Sequence, residues 1–102
     1  MEKLVKAKVL RFSWTHKRGK KRRQAFLYPK EYFWRLNADQ DVKQGQVYMV
    51  QNDERRYAIV VLGVLSVPDE TAAEHKLMDG QRVENESWDF DRNVLIKHRK
   101  KA

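Results

Sequence analysis

The sequence predicts a mainly β domain with one or two short helices, a β-rich α+β fold, and three observations carry that prediction. Val47, Tyr48, Met49 and Val50 form a short apolar run, and residues 57–67 form an almost unbroken β-branched and aliphatic one, with the polar, turn-forming stretch 51–56 between them. Near the N-terminus, residues 3–14 alternate apolar and polar side chains with the period of a strand. Residues 24–28 carry aromatics as residues 12–14 do, and a segment containing Gly19 joins the two, which is a hairpin signal.

The central stretch also carries a resemblance. Val42-Lys43-Gln44-Gly45-Gln46-Val47-Tyr48-Met49-Val50, followed by Tyr57-Ala58-Ile59-Val60-Val61-Leu62-Gly63-Val64, resembles the second half of small SH3-like barrels. There an apolar residue, a Gly-polar pair and alternating valines lead into a hairpin. Phage-encoded small proteins and accessory domains of translation and transcription share this pattern. Gln46 stands where an acidic residue is usual, and the hairpin tip, Asn52-Asp53, has no glycine. The resemblance implies a small, partly open SH3-like barrel, and an accessory protein of a phage or mobile element.

Taken in order, the elements begin with a strand at 3–14. Val5, Ala7 and Val9 share one face, then Leu10, Phe12 and Trp14 take over one residue out of step. With period-two alternation this is a change of face, which a bulge near Val9-Leu10 absorbs unless the strand is buried on both sides. Residues 16–23 read as a loop around Gly19 whose like charges keep its tip extended and mobile, followed by a second strand at 24–28. Pro29 suits the first turn of a helix, with Tyr32, Phe33 and Leu36 on one face, ending near Asn37 and plugging an open end of the barrel. The run 57–67 is a long central strand buried on both faces, bent or bulged at Gly63. Val47, Met49, Ile59, Val61 and Leu62 are its expected core. A peripheral second helix over 69–79 starts at Pro68, is capped by Asp69 and stops at Gly80. A closing hairpin or strand follows, with a turn-like Asp91-Arg92-Asn93 and a candidate last strand at Val94-Leu95-Ile96. Residues 1–96 form one domain and 97–102 a flexible basic tail.

At 102 residues the chain can bury one core. The lack of cysteine excludes disulfides, thiolate zinc sites and cysteine nucleophiles, and fits a reducing compartment. No apolar run approaches the ~20 residues that span a bilayer, and Met1-Glu2-Lys3-Leu4-Val5-Lys6 alternates charged and apolar residues, unlike a secretory leader. A cytoplasmic protein without membrane contact is expected.

The net charge of +8 is local. Lys17, Arg18, Lys20, Lys21, Arg22 and Arg23 form one acid-free segment, and Lys97, Arg99, Lys100 and Lys101 another; without these ten, 14 acids face 12 bases. Such a patch marks a site more than it serves solubility. Lys and Arg neutralise phosphates and release counterions, and Phe12, Trp14, Phe26 and Tyr28 flank the first segment, offering platforms for unpaired bases. The candidate nucleic-acid-binding residues are Trp14, His16, Lys17, Arg18, Lys20, Lys21, Arg22, Arg23 and Tyr28. The bland reading is a solvated tip above core aromatics. The acidic group Glu84, Glu86, Asp89 and Asp91 fits no metal loop, and strand alternation splits it across two faces. His16, His75 and His98 are scattered, and there is no nucleophile elbow or phosphate-binding glycine loop. No catalysis, metal or cofactor is expected. The reading is a non-enzymatic small barrel that binds nucleic acid, single-stranded DNA or RNA, through its basic loop and the adjoining aromatics. Its rival is a protein-binding inhibitor or adaptor that docks on a host nucleoprotein machine.

Overall fold

In a computed structural model, which describes residues 1–52 and 54–98, the apolar run at 57–67 belongs to β4 (Arg55–Val67). It lies between β1 (Glu2–Lys17) and β3 (Gln46–Asn52), inside one sheet that also holds β2 (Lys20–Leu36), β5 (Gly80–Asp89) and β6 (Val94–Lys97). The strand order is β2-β1-β4-β3-β5-β6, and every neighbouring pair is antiparallel. The middle of β4, residues 59–61, is buried on both faces, a shorter stretch than the 57–67 that its composition predicts. Ile59 and Val61 join one apolar cluster with Val5, Ala7, Val9, Tyr48 and Val50, while Val60 joins a second with Leu10, Val47 and Trp88. Met49 and Leu62, expected in the core, are half-buried, and Val64 and Leu65 are exposed. Lys6 pairs with Gly63 and Ala7 with Val61, so Leu62 is the extra residue of a bulge beside the glycine.

The same two clusters explain the broken alternation of β1. Val9 faces the first cluster and Leu10 the second, because the strand is buried on both sides where it crosses β4. An irregularity does lie at Val9, but on the partner strand: Lys8 pairs with Glu31 and Leu10 with Leu27, so three residues of β2 stand opposite Val9. Two extra residues leave the side-chain parity unchanged.

Those residues include Pro29, and here the structure corrects the sequence reading. There is no helix at 29–37; β2 runs unbroken from Lys20 to Leu36. An edge strand at a bulge is one of the few strand positions where a proline removes no ladder hydrogen bond. Tyr32, Trp34 and Leu36 then face the first cluster with period two. Pairing with residues 3–8 of β1 overrides the local helical spacing.

The sheet curls into a half-barrel. Its β2 edge is tied to the segment before β5 by a parallel bridge between Arg35 and Leu77, with Arg35 N–H donating to the Lys76 carbonyl at 2.8 Å and Met78 N–H to the Arg35 carbonyl at 2.9 Å. Leu36 and Met78, beside this bridge, are buried in the first cluster. The β5–β6 hairpin covers the other face, where Trp88 and Leu95 pack with Val47 and Val60. The only described helix, α1, spans Asp69–Ala73 and is shorter than the predicted 69–79. Pro68 rather than Asp69 occupies its N-cap, without a side-chain hydrogen bond, and Gly80 opens β5. The closing hairpin matches expectation. Asp89 Oδ1 accepts from the N–H groups of Asp91 and Arg92 at 2.9 and 3.1 Å and shapes its turn.

Beyond the half-barrel, β1 and β2 continue alone. Residues 11–24 are all exposed. The radius of gyration, 15.3 Å, exceeds the ~13 Å of a compact domain of this length, and the longest dimension is 54 Å. The cause is a two-stranded arm that projects by about 24 Å, seven residues at ~3.4 Å each.

Candidate nucleic-acid interface

The basic segment is not a loop. Lys17 pairs with Lys20 across a two-residue turn, with φ of 53° at Arg18 and 73° at Gly19. Positive φ at both central residues is the type I′ turn, whose twist matches that of the strands it joins. Lys17, Lys20, Lys21, Arg22 and Arg23 are therefore held in strand register, in place of the loop expected at 16–23.

Register divides the candidate residues between the two faces of the arm. Trp14 opposes Arg23 and His16 opposes Lys21, on the face that carries Phe12. Thr15 opposes Arg22 and Lys17 opposes Lys20 on the other face, with Arg11 and Phe26. Tyr28 shares that second face, its ring 5.0 Å below the Arg11 guanidinium. Arg18 sits at the turn. The structure thus places eight of the nine candidate residues on the arm and Tyr28 at its base, and puts Trp14 and Tyr28 on opposite faces of the ribbon.

Cations and rings interleave on the first face. The Arg23 guanidinium stands 3.5 Å from the centroid of Phe12, and Lys21 Nζ 4.6 Å from that of Trp14. Exposed contacts of this kind contribute ~0.5–1 kcal/mol each. They help hold a ribbon that has no core of its own, since an isolated hairpin is marginal in water. Against them stands repulsion, as Lys17 and Lys20 face each other directly. Residues 11–24 carry seven Lys and Arg and no acid, and none of these cations forms an ion pair among the described residues.

Sequence reasoning missed a second group. β1 and β4 pair only as far as Leu10 and Ala58, and beyond that point the arm and the β3–β4 hairpin diverge. Between them lies an open cleft of about 1330 Å³, lined by Arg11, Phe12, Arg23, Tyr32, Arg55, Arg56 and Tyr57 among others, with Glu54 as the one carboxylate among the described lining residues. Arg55 and Arg56 follow Asp53 and Glu54, so the local charge in the sequence is balanced and raises no signal. Only the fork between the two hairpins sets these arginines against Arg11 and Arg23.

The remaining chemistry-bearing residues have structural surroundings. The His75 ring lies 5.9 Å from Phe33, and His98 Nε2 is 2.8 Å from Ser87 Oγ. Asp89 serves its turn. No group of three or more His, Asp or Glu among the described residues is arranged to hold a metal ion. No described helix is long and apolar enough to cross a membrane. Of the basic tail, Lys97 closes β6 and His98 N–H donates to the Asn85 carbonyl; Arg99, Lys100 and Lys101 lie outside the described residues.

Fold and site together define a small curled β half-barrel with a protruding, cationic and aromatic β-arm. No family model matches the chain, and neither the curated proteins nor the solved structures give a match to it.

Proposed function

We propose that this chain is a non-enzymatic nucleic-acid-binding protein whose contact surface is the β1–β2 arm. The arm itself carries the reading: a ribbon in regular strand register, exposed on both faces, with seven cations, no carboxylate and rings interleaved among the charges. A polyanion following it meets positive charge on either face, and removes the repulsion that the free arm carries. The curled sheet and the Gly45-Gln46-Val47 entry into the β3–β4 hairpin favour a place among SH3-like barrels, and with it an accessory role in a phage or mobile element.

The test is titration of the wild type and of a Lys20→Ala, Lys21→Ala, Arg22→Ala, Arg23→Ala variant against short DNA and RNA at two salt concentrations. Affinity falls for every sequence in the variant and the salt slope flattens, because phosphate contacts are blind to sequence. Equal affinity for the two proteins ends the nucleic-acid reading of the arm and leaves an acidic protein surface as the partner.

A further inference from the structure

We infer that the cleft between the arm and the β3–β4 hairpin seats a single, unpaired nucleic-acid strand, with Arg55 and Arg56 as phosphate contacts. This rests on the nucleic-acid reading of the arm and adds to it a second wall, a path and a substrate class.

The cleft is too large and too open for a small molecule. Its volume of about 1330 Å³ exceeds the ~300–1,000 Å³ of pockets that enclose drug-sized ligands. Arg11 and Arg23, from the two faces of the arm, and Arg55 and Arg56 of the β3–β4 hairpin place four guanidiniums around it, against Glu54 as the one carboxylate among the described lining residues. Guanidiniums so placed repel one another until an anion lies between them, and their planar forks match phosphate oxygens in pairs.

The rings decide the class of polyanion. Phe12, which is exposed, and Tyr32 and Tyr57, half-buried against the first apolar cluster, line the same cleft, and the Arg23 guanidinium carbon stands 3.5 Å from the Phe12 centroid. Unpaired bases stack on such rings and on guanidinium planes, whereas the bases of a duplex are stacked on each other and turn only edges and phosphates outward. An acidic peptide would satisfy the arginines and leave the rings without a flat partner. The fork supplies one more feature. Past Leu10 and Ala58 the facing edges of β1 and β4 are not paired with each other, which leaves backbone groups open to a strand that runs between them.

The experiment compares three proteins by fluorescence anisotropy: the wild type, Arg55→Ala/Arg56→Ala and Phe12→Ala. The probes are an oligo-dT, an oligo-U and a duplex of the same length, at several salt concentrations. All substituted side chains are exposed at least in part, and thermal melting checks that each variant folds. The arginine variant loses single-strand affinity and its salt slope falls by about 1.4, two contacts at ~0.7 each. Phe12→Ala weakens single-strand binding by about five- to a hundred-fold, and duplex binding much less. Unchanged single-strand affinity and slope in the arginine variant, while the four-residue arm variant still weakens, overturns the cleft and leaves the arm standing. Equal losses on duplex and single strand overturn the single-strand assignment. A wild type that binds none of the probes removes the nucleic-acid function itself.

Discussion

The ammonium of Lys21 lies 4.6 Å from the centre of the Trp14 ring, and Trp14 in turn directly opposes Arg23 across the ribbon. Trp14 is 57% exposed, whereas Trp88 is 4% exposed in the second apolar cluster. The two tryptophans therefore answer differently to removal. Trp88→Ala destabilises the fold by about 3–5 kcal/mol, as a large core side chain does. Trp14→Ala leaves the denaturation midpoint nearly unchanged and lowers single-strand affinity by about 1–3 kcal/mol. A Trp14 variant that unfolds like the Trp88 one would show that the arm ring is structural.

Repulsion along the arm gives a second expectation. Amides of residues 12–23 exchange faster than those of β4 in the free protein, because the ribbon has no core beneath it. Heparin or an oligonucleotide slows them selectively, by neutralising charges such as the facing Lys17 and Lys20. Hydrogen exchange with and without the polyanion reads both effects; uniform protection across the sheet would contradict them.

At the centre of the sheet, Ile59 and Val61 are fully buried with Val5 and Val50 around them. Ile59→Ala costs about 2–5 kcal/mol by urea denaturation, with the m-value retained.

Two glycines separate space from necessity. A Cβ on Gly80 would stand 2.8 Å from both the Met49 carbonyl oxygen and Val50 Cγ1, so Gly80→Ala pushes β5 off β3 and lowers the melting temperature. Nothing lies within 4 Å of a Cβ on Gly63, and Gly63→Ala is neutral or stabilises by up to about 1 kcal/mol. The bulge at Leu62 survives the second change.

Burial pushes the Tyr48 phenol above its ordinary value of 10.0, opposed by the Arg82 guanidinium and aided by Asp41. Its hydroxyl donates to Gln46 Oε1 at 3.1 Å. Between the unfolded value and the raised folded one, the native state keeps a proton that the unfolded chain has lost. Tyr48 thus contributes nothing to pH dependence well below pH 10.0, and stability falls as pH rises above it. Tyr48→Phe lacks that fall. Melting temperatures of the two proteins run parallel below this pH and converge above it.

The sequence by itself determined which segments are strands in the centre of the chain, because β-branched residues at 57–67 leave few alternatives to a buried strand. It also determined the closing hairpin, through Asp91-Arg92-Asn93, and where the cations cluster. Tertiary structure decided the rest. Pro29 and the Tyr32-Phe33-Leu36 spacing are locally helical, and only the ladder with residues 3–8 makes them a strand. Residues 17–23 look like a loop because an isolated chain of like charges extends, yet the I′ turn and the rings of Phe12 and Trp14 hold them in register. Arg55 and Arg56 are silent in the sequence, their charge balanced by their neighbours, and become part of a cleft only where β1 and β4 part. Strand propensity is local, whereas register, forks and charge clusters depend on residues tens of positions apart, which no window of sequence brings together.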